Sequence, residues 1–419
     1  MLKFSFLYIM MKIKRYYLAS VFIATILLVN QPVQAQNSYN PNSAYGIGET
    51  NLGAQGYNAG MGGVSIGVRS KDFINTDNPA AISILDSSVV LFNFAMNGKY
   101  SKFAATGNNQ TAWNGNIRNL GLGLKIARFW GTALCLLPYS SVGYDIYTLQ
   151  PIEGSKYVEA ANYIGDGGIN RIQWINAFKI HPKFSVGVNA SYFFGAINTR
   201  QMVNSWTIKK VSSVQKLYFD FGLQFHDNIS NDLSYTVGLV YGNKSELSFK
   251  NTIYTTVSST EIEDRTTKST TQYLPQYFGG GISFTMNEKI SIAADYQYTQ
   301  WSSLNKTIAN VKYRDVSQIK AGIKVGPLQE ITTNYLNRIH YMAGIAISNS
   351  YIERSGVNPK NFGITAGLGL PIRQKAIVTI SAELGKTGTT EKGMVSETYV
   401  RFGVGVSWKD IWFVRRKYD

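Results

Sequence analysis

Absences narrow the possibilities first. A single cysteine, Cys135, stands among 419 residues, so neither an internal disulfide nor a thiolate metal cluster can form. The only histidines, His181, His226 and His340, fall on separate runs without metal-ligand spacing. No phosphate-binding loop occurs. Gly63-Val64-Ser65-Ile66-Gly67 matches a nucleophile elbow in letters, but it lies in a glycine-rich stretch and not between a strand and a helix. The expectation is a chain without catalytic residues, cofactor or metal site. Acidic residues are also scarce: 25 against 41 Lys and Arg, for a net charge of +16. The basic side chains sit singly in turns and loops and in the tail Arg415-Arg416-Lys417. That is no clustered, aromatic-lined patch, so nucleic acid is not an expected partner. Outer-membrane lipid headgroups and lipopolysaccharide are the expected counter-charges.

Long apolar runs are missing too. Lys12, Lys14 and Arg15 precede an apolar stretch from Leu18 to Val29 and then the small-residue site Val33-Gln34-Ala35, the pattern of a secretory signal peptide. The stretch is shorter than the roughly 20 residues a membrane helix needs. Residues 1–35 are therefore expected to be a cleaved signal, with the mature chain starting at Gln36. Cleavage would remove four basic residues and leave about +12. Nothing later approaches a membrane helix in length, so any insertion must be by a closed barrel, the other fold that satisfies every backbone group in lipid.

Two textures follow the signal. Residues 36–87 are rich in Gly, Asn and Ser, with Gly46, Gly48, Gly53, Gly56, Gly60, Gly62, Gly63 and Gly67 crowded together. Interspersed Tyr57, Met61, Val64, Ile66 and Phe73 favour compact irregular structure over a linker. Residues 88–419 instead read as segments of about ten residues with period-2 alternation, the signature of membrane barrel strands. In the clearest, Val400, Phe402, Val404, Val406 and Trp408 take one face while Glu397, Tyr399, Arg401, Gly403 and Gly405 take the other.

Segments begin near Val89, Asn119, Gly131, Arg171, Ser185, Lys216, Leu233, Tyr273, Ile290, Val316, Ile339, Phe362, Ala376 and Val395. The resulting fold class is all-β: a transmembrane antiparallel barrel of about fourteen strands. Breaks such as His181-Pro182-Lys183, Asn287-Glu288-Lys289 and Arg373-Gln374-Lys375 are short turns. Pro151 to Gly168, Asn198 to Gln215 and Asn243 to Thr271 read as long hydrophilic loops. A soluble β-sandwich would also alternate, but the chain is long for one sandwich.

Three stretches in this order resemble the FadL-type outer-membrane transporters of hydrophobic compounds, in their Bacteroidetes-like version. They are Asn78-Pro79-Ala80; the run Asp295-Tyr296-Gln297-Tyr298-Thr299-Gln300-Trp301-Ser302; and Glu383-Leu384-Gly385-Lys386-Thr387-Gly388-Thr389 with the closing Asp410-Ile411-Trp412-Phe413. The resemblance implies a barrel with an N-terminal plug carrying Asn78, Pro79 and Ala80 near a gap in the wall. The chain departs from the pattern at its end, where Trp412 and Phe413 precede a basic tail instead of a terminal aromatic.

In the third strand Pro138 and Gly143 break an apolar run, and a strand proline removes a ladder hydrogen bond. By the same resemblance they are candidates for a lateral opening; a strand ending at Leu137 is the plainer alternative. Strand parity sends Asp295, His340, Glu383, Glu397 and Arg401 into the lumen, with Arg401 a candidate for a ligand carboxylate. The resemblance thus implies passive uptake of a hydrophobic small molecule, such as a fatty acid or an aromatic. The alternative is a barrel subunit of a larger secretion or assembly machine, with outer-membrane protein partners.

Overall fold

The computed structural model describes residues 40–412 apart from 51–52, 55, 106, 152–155, 258–259, 267–268, 305–306, 309–310, 329–333 and 374. The signal segment, Phe413 and the basic tail therefore lie outside the described residues. The strands, in chain order, are β1 (Val89–Ala105), β2 (Asn108–Ala127), β3 (Trp130–Pro151), β4 (Val158–His181), β5 (Phe184–Val203) and β6 (Trp206–Asn228). Next come β7, in pieces Leu233–Gly242 and Ser245–Val257, and β8, in pieces Thr260–Thr266, Thr270–Leu274 and Tyr277–Met286. The circuit continues through β9 (Ile290–Thr299), β10 (Val316–Val325), β11 (His340–Asn349), β12 (Lys360–Ile372), β13 (Ala376–Thr387) and β14 (Ser396–Ile411).

Each strand pairs antiparallel with its sequence neighbours, and β14 returns to β1 from Val89↔Ile411 to Ala104↔Ser396. The sheet is thereby a closed barrel of fourteen strands, which removes the edges an open sheet would expose.

The two faces of each strand differ as alternation requires. On β6, Leu217, Phe219, Phe221, Leu223 and Phe225 are exposed outward while Tyr218, Asp220 and Gln224 are buried inward. An apolar outer belt with polar groups inside is the inverse of a soluble core and fits a barrel seated in hydrocarbon.

The three long hydrophilic loops expected between strands are corrected by the structure. Most of each is strand: β4 begins at Val158, β5 and β6 run together from Val203↔Trp206, and the second piece of β7 pairs with β6 from Val214↔Phe249 to Trp206↔Val257. β3 to β6 accordingly hold 22, 24, 20 and 23 residues, against 10 in β9, β10 and β11. About 9–11 residues suffice to cross a bilayer, so the long strands continue beyond it as a projecting sheet. Both faces of that sheet meet water, which erases the apolar alternation that marks a strand.

Residues 40–88 contain three short 3-10 helices, Pro41–Ala44, Gly56–Met61 and Pro79–Ile84. Their side chains are largely buried against the inner faces of the strands.

Candidate functional site

The N-terminal segment lies directly on glycines of the wall. Gly187 of β5 meets Pro79 and Ala80, Gly222 of β6 meets Asn78 and Pro79, Gly238 of β7 meets Ile66, and Gly281 of β8 meets Gly67. Gly322 of β10 and Gly344 of β11 meet Met61, and Gly367 of β12 meets Gly60. A Cβ at any of these seven would come closer than 3.0 Å to a neighbouring atom, so the segment lies closer to the wall than an ordinary side chain would allow, with backbone on backbone at all but Gly222.

Hydrogen bonds complete the seating. The Asp295 carboxylate accepts from the backbone N–H groups of Ser65 at 2.6 Å, Ile66 at 2.9 Å and Gly67 at 3.3 Å. Gln224 donates to the carbonyls of Ile66 and Val68, Ser283 to that of Gly67, and Gln173 to that of Thr76. Ser65, the serine of the elbow-like motif, gives its hydroxyl to Asp77.

Asn78-Pro79-Ala80 forms a capped start to the third 3-10 helix. The Asn78 side chain accepts from the Ala80 N–H at 3.1 Å and donates to the carbonyls of Ile66 at 2.8 Å and Leu223 at 3.1 Å. Pro79 occupies the first helical position, where a missing N–H costs nothing.

His340 contacts the Tyr57 hydroxyl through Nδ1 at 3.2 Å. Nearby, the carboxyl of Asp72 is held below the usual range. Burial alone would raise it, but the Lys409 ammonium at 2.6 Å, helped by Lys324, outweighs that.

Glu383, Glu397 and Arg401 belong to one charged network on the inner face of β1, β13 and β14. Glu397 accepts from Lys99 at 2.8 Å and from Ser101 at 2.5 Å, and Lys99 also reaches Glu49 at 3.4 Å. Arg401 is bound to Glu383, which also accepts from Tyr399 at 2.7 Å. Arg401 is therefore committed to its own wall. Three other arginines form no ion pair among the described residues and bury an Nε atom without a partner: Arg69, and then Arg118, whose Nη2 donates to the Gly53 carbonyl, and Arg171. The last two share a chamber.

Both line a cavity of about 440 Å³ above the segment. Tyr139, Phe193, Tyr218, Leu274, Trp301 and Tyr351 supply its apolar wall. These rings pack on one another: Trp301 stacks on Tyr351 at 4.3 Å, and Phe193 meets Tyr139 edge-on at 4.9 Å. Among the described residues no group of acids, histidine and cysteine could hold a metal.

Pro138 and Gly143 sit where the wall departs from regular pairing. β3 does not end at Leu137; it runs to Pro151 with a bulge at Tyr139 against β4. Its pairing with β2, however, extends only from Ala127↔Trp130 to Leu120↔Leu136. β2 has its own irregularity, with Arg118 as the extra residue against β1. The two bulges splay β2 from β3. The N-terminal segment meets the released stretch of β3: Glu49 and Ser141 exchange two backbone hydrogen bonds, and the Gly143 carbonyl accepts from Asn40 at 2.8 Å. Gly167 and Gly168 of β4 and Gly195 of β5 have positive φ beside the bulge, a conformation that glycine adopts freely. Arg118 and Asn119 from one margin, and Pro138 and Tyr139 from the other, all line the cavity, so it reaches the gap.

Residues 12–419 match the family model described as BamG. The chain belongs to the BamG family. Among solved structures, the BamG-family barrel is similar to the CymD monoaromatic hydrocarbon channel (TM-score 0.57, 13% identity, covering 86% of this chain and 98% of that one). It is likewise similar to the toluene transporter TbuX of Ralstonia pickettii (0.57, 14%, 85% and 98%) and to a FadL homologue of Pseudomonas aeruginosa (0.55, 12%, 86% and 98%). At such identities the likeness shows a shared FadL-type barrel fold. No curated protein matches the sequence.

Sequence reasoning missed Lys99, Glu49, Arg118 and Arg171. It also passed over the aromatic wall, whose members are scattered from Tyr139 to Tyr351.

Proposed function

We propose that this barrel takes up a hydrophobic small molecule passively in the outer membrane: capture in the aromatic cavity, then lateral release into lipid between β2 and β3. The observation that carries the reading is the cavity itself, walled by stacked rings, floored by a segment seated on glycines and reaching the stretch where the β2–β3 ladder stops. On this reading residues 36–87 act as a plug that closes the axial path, and residues 1–35 are the cleaved export signal. Burying apolar ligand surface at roughly 25 cal/mol per Å² drives capture without an energy source. Arg118 and Arg171 make long-chain acids the favoured ligands over neutral aromatics, since they form no ion pair among the described residues, bury an Nε without a partner and suit a carboxylate well. The test is saturable binding of radiolabelled palmitate and toluene by the protein in nanodiscs. Binding that weakens at least tenfold in Phe193→Ala/Trp301→Ala supports the reading, and the absence of saturable binding of either compound contradicts it.

A second reading, a barrel subunit of an outer-membrane assembly machine, is favoured by membership of the BamG family and by the filled lumen. Native purification discriminates. Stoichiometric outer-membrane partners that persist without any ligand binding favour the machine.

A further inference from the structure

The lipid-facing side of β12, β13, β14, β1 and β2 carries charge of one sign above its apolar belt. Lys360, Lys386 and Lys102 are exposed, on the same strand faces as the outward Phe362, Leu384 and Met96. None of the three forms an ion pair among the described residues. The acids on these five strands are Glu383, Glu397 and Asp410. Glu383 and Glu397 are held inside by Arg401 and Lys99, and Asp410 lies at the opposite end of β14, so no carboxylate on these strands balances the lysines.

Register brings the lysines together. Lys386 of β13 and Lys102 of β1 both pair with Thr398 of β14, one from each side. Neighbouring strands are about 4.8 Å apart, so the two backbones are about 10 Å apart and their flexible four-carbon stems can converge on one anion. Lys360 stands two residues above Phe362, the partner of Lys386 on β12.

Depth says which anion. Along β14, Thr398 lies ten residue steps from Trp408, whose ring meets Phe92 at 5.7 Å. At ~3.3 Å per residue and a tilt of ~40° that is a rise of roughly 25 Å, the height of the apolar band in such barrels. Just below the lysine row, Tyr100 packs on Trp113 at 4.9 Å, as the aromatic girdle at a membrane interface should. The row is thus at the edge of hydrocarbon, at the end toward which β3 to β6 project, and longer extensions mark the extracellular side. Lipid phosphates lie at that level, and a basic residue near an anionic headgroup layer is attracted to it.

We infer that Lys102 and Lys386, with Lys360 above them, bind the phosphate of a lipopolysaccharide in the outer leaflet, its acyl chains lying along Leu384, Val400 and Phe402. The site is on the outside of the wall and takes no part in what the cavity holds.

The test is native mass spectrometry of the full barrel in detergent, titrated with lipid A, the phosphorylated anchor of lipopolysaccharide. Lys102→Gln/Lys386→Gln should weaken binding at least tenfold, and Lys102→Arg/Lys386→Arg should restore it. Lys289→Gln/Lys375→Gln, which removes the same charge at the other rim, should leave affinity within twofold, and dephosphorylated lipid A should bind the wild type at least tenfold more weakly. The heat-modifiable band confirms that each variant is folded. Undiminished binding in the first glutamine pair, an equal loss in the second, or equally tight binding of the dephosphorylated lipid overturns the inference.

Discussion

The lower and upper halves of this barrel solve opposite packing problems. Around the N-terminal segment the wall gives up its side chains, so that Gly238, Gly322, Gly344 and Gly367 let backbone lie on backbone and the interior fills. Around the cavity large rings gather instead: Phe193 meets Tyr139 and Tyr218 edge-on, and Trp301 stacks on Tyr351. On the proposed reading one composition makes a seal and the other a chamber. Mutations should therefore fail in opposite directions, by added volume below and by lost volume above.

The largest effect is expected from Gly238→Val combined with Gly344→Val. Each side chain must enter occupied space, at about 3 kcal/mol apiece, and the two lie on different strands, so the sum should abolish the heat-modifiable folded band in gel electrophoresis. Gly280→Val is the control: the nearest atom to its Cβ lies at 3.6 Å, and the band should persist. In the upper half, Phe193→Ala should cost about 3 kcal/mol in urea unfolding through the void it leaves, while the seal stays protease-resistant. Asp295→Ala strands three backbone N–H groups. It should cost about 2 kcal/mol and expose the chain near Ser65 to limited proteolysis.

The smallest effect concerns pH. Because the folded Asp72 carboxyl is held below its unfolded value by Lys409, its contribution is present above the unfolded value of about 3.9 and is lost as pH falls through the lower, folded value. Asp72→Asn should therefore flatten the acid limb of a stability profile and leave the neutral region nearly parallel to wild type.

How much of this was legible in the sequence follows the same division. Lipid on one side and lumen on the other impose a two-residue period, so all fourteen barrel strands left a mark, and β9 at Ile290 and β13 at Ala376 begin where the alternation does. The upper parts of β4, β5 and β6 left none, because water wets both their faces and the backbone ladder needs no apolar residue to persist. Parity also placed Asp295, Glu397 and Arg401 on the inner faces. It could not pair them, since partnership depends on register across strands: Glu397 meets Lys99 through the closing β1–β14 ladder, nearly 300 residues away in the chain. Nor could it single out Arg118, which owes its position to a bulge. The glycines of the belt were visible as letters, but nothing near Gly344 in sequence says that Met61 will lie on it.

The central claim of the proposal is that the segment 40–85 blocks the axial path below the cavity, leaving release through the wall between β2 and β3. Planar-bilayer recording of the purified barrel tests it most directly. A sealed lumen gives no steady ion conductance above the bare bilayer, whereas deletion of residues 40–85 in a barrel that still folds gives an open pore. A steady conductance in the intact protein, through a lumen that Asp295 and the glycine belt should have closed, would contradict it.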